Sequence, residues 1–263
     1  MHLTNSFLLL ASLSATSLAH PTNVINKRQD YSAASTTAAV SSTPSSSSTT
    51  SSDGYSTSGF GASTAASGSD ITYKGNVGNP WGSNIIEVSS SAAQSYKHVL
   101  EITGPDSEDW SVVFWNKYGP DGEMNGWYGY SALNLDVSAG ETKYVALADD
   151  TNGGFAAAPS SSGIPKDNGG GYASTWGEFD FSSAGNGGWS GFDVSAIAAQ
   201  NAGFDVQGMQ ICETNGGTCS SITADAASVN NAYTTSETDI GGIGGNISGD
   251  GQIVLQVTLD YSG

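Results

Sequence analysis

Basic side chains are scarce: the 263 residues hold seven Lys and Arg against 25 Asp and Glu, a net charge of −18. Arg28 is the only arginine. Such a surface repels phosphate backbones and anionic bilayers, which argues against nucleic acid and membrane partners and leaves cationic or neutral polymers. Cysteine is nearly absent. The two present, Cys212 and Cys219, bracket ETNGGT and read as one small disulfide loop, with too few ligands around them for zinc. Histidine is limited to His2, His20 and His98, so a serine-hydrolase triad has only His98 to draw on within the folded part. His98 shares a strand face with Leu100 and Ile102, which suits a structural role. No calcium-hand pattern of alternating acids occurs in DDTNGG or KDNGGG, and both read as turns. No metal or other cofactor is expected.

Long apolar runs are also missing, save one. Residues 6–19, SFLLLASLSATSLA, are too short to span a bilayer and fit a signal peptide cleaved after Ala19. That cut would leave His20 first, the arrangement used by secreted copper oxygenases. The Lys27-Arg28 pair reads as a second processing site, however, and would discard His20 with residues 20–28. From position 32 to 58, 18 of 27 residues are Ser or Thr, with Pro44 among them. This tract cannot bury enough apolar surface to offset its chain entropy, so 29–69 reads as a disordered stalk suited to O-glycosylation. All six tryptophans lie from Trp81 onward, which places the folded domain at 70–263.

Within that domain the hydrophobic period is two. KHVLEIT (97–103), SVVFWNK (111–117), LNLDV (133–137), TKYVALA (142–148), TWGEFDF (175–181), FDVSAI (192–197), FDVQGMQI (204–211) and IVLQVTLDY (253–261) all read as strands. Gly-rich turns between short strands indicate an all-β fold, a single β-sandwich. Two short helices are expected. One starts at the capping box around Ser91 and Gln94; the other is suggested by helical spacing of Ile222, Ala226, Val229 and Tyr233. Asn246-Ile247-Ser248 is an N-glycosylation sequon in a Gly-rich stretch, expected to be an exposed loop, and GGIGG beside it reads as flexible.

Two kinds of candidate chemistry remain. In TWGEFDF, alternation turns Phe179 and Phe181 inward and Glu178 and Asp180 outward, about 6.5–7 Å apart along the strand. That spacing lies near the lower limit for an inverting glycosidase pair, and Asp193 is a further candidate partner. The other feature is aromatic. NGWYGYS sets Trp127, Tyr128 and Tyr130 among small polar residues, a composition suited to stacking on sugar rings.

The stretches YKGNVGNPWGSNIIEVS (73–89), VVFWNKYGPDG (112–122), GWYGYSAL (126–133), AGETKYVA (139–146), TWGEFDF (175–181) and GWSGFDVSAI (188–197) together resemble the secreted fungal allergen family typified by the fourth Aspergillus fumigatus allergen. The resemblance covers most of 70–263. It implies an extracellular or cell-wall-associated protein that IgE recognises in sensitised hosts, and it implies no established catalysis. GEF (177–179), FDVSAI (192–197) and GFDVQGM (203–209) also follow the order seen in thaumatin-like proteins, whose β-sandwich carries an acidic cleft and in some members binds or cleaves β-glucan. By that similarity Glu178 and Asp193 fall on cleft carboxylates, while the cleft arginine is absent and Ser190 stands where a further Asp is expected. The combined expectation is a secreted, wall-associated β-sandwich that binds a polysaccharide such as β-glucan through Trp127, Tyr128, Tyr130, Glu178 and Asp193. The alternative is a glycoside hydrolase using Glu178 with Asp180 or Asp193.

Overall fold

The computed structural model describes residues 50–215 and 217–263. The expected signal peptide, the 20–28 pro-segment and the part of the stalk before residue 50 lie outside the described residues. In chain order the elements are β1 (Ile85–Val88), α1 (Ser90–Ala93), β2 (His98–Thr103), β3 (Trp110–Asn116), β4 (Leu133–Val137), β5 (Thr142–Leu147), β6 (Thr151–Pro159), β7 (Trp176–Ser183), β8 (Trp189–Ser195), α2 (Ile197–Ala202), β9 (Met209–Glu213), β10 (Cys219–Ile222), β11 (Val229–Asn230), β12 (Gly245–Ile247) and β13 (Ile253–Leu259).

The strands form two sheets, β1-β5-β2-β13-β9-β10-β11 and β12-β8-β7-β6-β3-β4. Neighbours are antiparallel except β13, which lies parallel to β2 with Ile253 opposite His98 and so ties the end of the chain to the middle of the first sheet. Alternation along each strand buries one side chain in two between the sheets. Leu100, Ile102, Val145, Leu255 and Val257 from one sheet meet Phe114, Phe155, Phe179, Phe181, Phe192 and Val194 from the other. Burying a Leu or Phe side chain contributes about 1.5–3 kcal/mol each, so this layer dominates the favourable side of folding. The expected β-sandwich is therefore observed.

Several details differ from the sequence reading. Contacts with the domain extend upstream of Asp70. Ser56 N–H donates to Ser95 C=O (2.8 Å), Phe60 packs edge-on against Tyr96 (5.5 Å), and Asp53 pairs with Lys97 (3.0 Å). Residues 50–69 are held by these contacts rather than by a core of their own. The helix at Ser90–Ala93 forms, capped by the Ser89 hydroxyl, which accepts from Ala92 N–H. No helix forms through 222–233. Asp225 and Ala226 take positive φ (56° and 54°), which breaks a helix, and the segment becomes a 3-10 turn and the short strand β11. A helix appears instead at Ile197–Ala202, ended by Gly203 in the left-handed region. The largest element missed is β6. DDTNGG begins as a turn, but from Thr151 the chain enters the centre of the second sheet.

Candidate functional site

The outer face of the second sheet carries the polar side chains of interest. On β7, Trp176, Glu178 and Asp180 point away from the core, as their alternation with Phe179 and Phe181 requires. Register then places Glu178 opposite Gly154 on β6 and opposite Asp193 on β8, while Asp180 faces Asn152 and Gly191. Trp115 of β3 lies across β6 from Glu178, opposite Gly154. The glycine leaves room there. A Cβ at Gly154 would sit 3.0 Å from both Trp115 Cζ2 and the Gly177 carbonyl oxygen, so the missing side chain lets the indole approach β6 closely. Lys117, just past β3, brings its ammonium to the same face and is itself buried.

Glu178 and Asp193 are 2% and 0% exposed, and their carboxyls lie within hydrogen-bond reach of each other. Burial pushes both above the ordinary carboxyl range. Asp193 is raised further by charge on Glu178, while hydrogen bonding from Asp193 and the charge of Lys117 pull Glu178 back. The pair therefore retains a proton, since two charged carboxylates in contact without water would repel strongly. Asp180 is pushed up to about 7 by burial, against a hydrogen bond from Ser183 and the charge of Lys117. Lys117 is lowered by burial and held partly up by Asp180 and Glu178. Beyond the shared proton, Glu178 Oε2, Asp180 Oδ1 and both Asp193 oxygens are enclosed without a hydrogen-bond donor.

A cover accounts for this enclosure. Tyr233 bridges Ser195 and is buried, and its hydroxyl accepts from Ile243 N–H (3.2 Å). Its phenol is pushed up to about 12 by burial and by the nearby charges of Asp193 and Glu178. Asn231 and Gly244 exchange two hydrogen bonds (both 2.9 Å) that close the loop between them. A Cβ on Gly244 would lie 2.8 Å from Asp193 Cβ, so this backbone rests directly on Asp193. The GGIGG segment is thus a lid over Asp193, part of it strand β12, rather than a free loop.

The aromatic residues adjoin the acids through Trp176, two residues before Glu178. Trp176 packs edge-on to Trp115 (5.1 Å) and lies 6.4 Å from Trp127. Trp127 is half-buried against this cluster, and Tyr128 tilts over it at 5.4 Å. Tyr128 is 45% exposed. Tyr130 lies edge-on to Trp81 (6.2 Å), and its hydroxyl donates to Asp121 (3.0 Å), which also accepts from Asn125. Trp110 and Trp115 are fully buried, so part of the aromatic content belongs to the packing alone.

The structure thus brings Glu178, Asp180 and Asp193 together; Trp127 approaches them through Trp176, Tyr128 lies against Trp127, and Tyr130 packs separately against Trp81. It turns the hydrogen-bonding capacity of Glu178 and Asp193 inward, away from any ligand in solvent. It also supplies a cation where sequence reasoning found none, because Lys117 reaches the acids from two strands away. The one hint was its place at the end of the apolar run VVFWN.

His98 is buried and stacks on Phe181 (4.8 Å). Its Nε2 meets both Asp149 Oδ1 (2.8 Å) and Ser182 Oγ (3.0 Å), while Nδ1 has no partner. A catalytic triad needs serine and aspartate on opposite ring nitrogens, so this cluster is structural. Cys212 and Cys219 form the expected disulfide, directly paired across β9 and β10 in the other sheet. Asn246 is exposed, though on edge strand β12 rather than in a loop, where its register with Gly191 puts it on the acid-bearing face.

Residues 83–259 match the family described as the allergen Asp f 4-like domain. The chain is 55% identical over 207 residues to allergen Asp f 4 of Aspergillus fumigatus, a match covering 79% of this chain and 64% of that protein. It also aligns to the crystal structure of the protein elicitor MoHrip2 from Magnaporthe oryzae at 11% identity. That alignment covers 62% of this chain and 99% of the other, with a TM-score of 0.39.

Proposed function

The chain belongs to the allergen Asp f 4-like family, and we propose that it acts outside the cell, at a fungal wall, by holding a neutral polysaccharide such as β-glucan. The contact surface in this reading is Trp127, Tyr128 and Tyr130. The observation that carries it is Tyr128, 45% exposed yet held against Trp127 at 5.4 Å by an aromatic stack reaching into the fold. A rigid, exposed ring stacks on a sugar face with little loss of side-chain entropy. Tyr130 is fixed in place by its hydroxyl, which donates to Asp121 (3.0 Å). Secretion belongs to the same proposal: the signal peptide ends at Ala19, and the mature chain begins at Gln29. So does IgE recognition in sensitised hosts, which the relative's name as an allergen supports.

A hydrolytic reading has one observation in its favour. Asp180, raised to about 7, could hold a proton for a leaving group. Against it, Glu178 and Asp193 lie within hydrogen-bond reach of each other, whereas a glycosidase pair needs at least about 5 Å between the carboxyls, and Glu178 is 2% exposed, which also counts against its pairing with Asp180. Incubating the purified protein with insoluble β-glucan tests both readings. Retention without release of reducing ends is expected. No retention on glucan, chitin or mannan would end the binding proposal, and reducing ends that disappear in Glu178→Gln would replace it with hydrolysis.

A further inference from the structure

A second exposed aromatic stands on the far side of the turn that Tyr128 touches. Phe204 follows Gly203 at the end of α2, and its N–H closes the helix on the Ala199 carbonyl (3.0 Å). An apolar residue after such a glycine commonly folds back on the last helical turn. Phe204 is instead 43% exposed. It borders a groove of about 280 Å³ whose other walls include Lys166, Asn168, Gly169 and Asn201. This is just below the ~300 Å³ at which sites for drug-sized ligands begin, and suits a short length of a polymer.

The groove adjoins the Tyr128 ring through Gly169. A Cβ on Gly169 would lie 3.2 Å from Tyr128 Cε1, so this ring rests on the same glycine that walls the groove. The turn is rigid: Asp167 Oδ1 accepts from both Gly169 N–H (2.8 Å) and Gly171 N–H (2.9 Å). Those bonds engage the Asp167 carboxylate, and Lys166 lies over the Tyr172 ring (5.0 Å). The two charges at the groove are thus opposite in sign and occupied by the protein itself. Asn168 and Asn201 offer exposed amides, which both donate to and accept from hydroxyls.

We infer that the groove between Phe204 and Gly169 is a second subsite for the same neutral glycan chain, entered by sugar units beyond those stacked on Tyr128. This inference rests on the polysaccharide-binding reading above and adds to it a minimum length of ligand. An anionic polymer would meet the −18 charge of the protein, while the groove itself offers amides for hydroxyls and a carboxylate, Asp167, already engaged by its own turn.

Calorimetric titration with linear β-glucan oligosaccharides, short (two to three units) and long (eight or more), separates the two claims. Tyr128→Ala should weaken binding of both lengths. Phe204→Ala should leave the short ligand unchanged and weaken the long one about tenfold, the loss expected on truncating one aromatic anchor, while Phe204→Tyr should restore it. Long-chain affinity unchanged in Phe204→Ala, with Tyr128→Ala still impaired, would overturn the second subsite and leave the proposed function standing. Failure of the unaltered protein to bind either length would remove both. Tighter, salt-sensitive binding of a deacetylated chitin oligosaccharide, lost in Phe204→Ala, would overturn the assignment to a neutral glycan.

Discussion

Glu178 stands directly opposite Asp193 in the β7–β8 ladder with their carboxyls in hydrogen-bond reach, and the Gly244 backbone packs on Asp193. Like-charged residues directly opposite each other destabilise a sheet, so this pair costs the fold least while it keeps a proton.

The first consequence is a pH dependence of stability. Glu178, Asp180 and Asp193 all have raised pKa values in the fold, so between about pH 4 and their folded values the native state binds more protons than the unfolded chain. Stability must then fall as pH rises. For Asp180 alone, moved from 3.8 to about 7, the change is on the order of 4 kcal/mol. His98, lowered by burial, works the other way, costing stability as pH falls below 6.5. Above pH 6.5 the carboxyls act without that opposition. Thermal melts from pH 3 to 9 should show Tm dropping between pH 6.5 and 8; a rise there would contradict the buried-proton account.

Glu178→Gln isolates the pair. The amide keeps the shape and can donate to Asp193 without charge, so stability should rise at pH 8 and change little at pH 4. A gain of 1 kcal/mol would move Tm by about 2–4 °C in a domain of this size. Polysaccharide retention should be unaffected, because the side chain is 2% exposed. Equal destabilisation at both pH values would show that the carboxylate itself is needed.

Trp127 and Tyr128 should separate stability from binding. Trp127 is wedged against Trp115, Tyr172 and Trp176, so Trp127→Ala should cost up to about 3 kcal/mol, below the full price of a buried indole. Tyr128→Ala should shift stability by no more than about 0.5 kcal/mol and still abolish most retention on glucan. Denaturant melts paired with pull-downs give both numbers. Tyr128→Ala that melts like the parent and binds like it would count against the aromatic surface.

Breaking the Cys212–Cys219 crosslink should lower stability by about 2–3 kcal/mol, the entropy of closing so short a loop. The bond joins β9 to β10 in the sheet opposite the candidate site. Cys212→Ser with Cys219→Ser should therefore melt earlier and retain glucan normally. Loss of retention at a temperature where the variant is still folded would connect the two sheets functionally.

What the sequence determined by itself is everything with a short range. Period-two alternation specified that Phe179 and Phe181 enter the core while Glu178 and Asp180 face out. The CETNGGTC spacing specified the disulfide, and the serine run placed the first helix, though its cap is Ser89 rather than Ser91 and Gln94 closes it. Strand β6 escaped because TNGGFAAAP carries no alternation, being buried on both faces with glycines where Trp115 and Gly177 press close. The helical spacing through 222–233 was overridden by two positive-φ residues and by the pairing of β10 with β11. Only the tertiary structure decided the site. Strand order set Asp193 beside Glu178, brought Lys117 across β6 and laid Gly244 on Asp193, since register between strands distant in sequence depends on how both sheets close around one core.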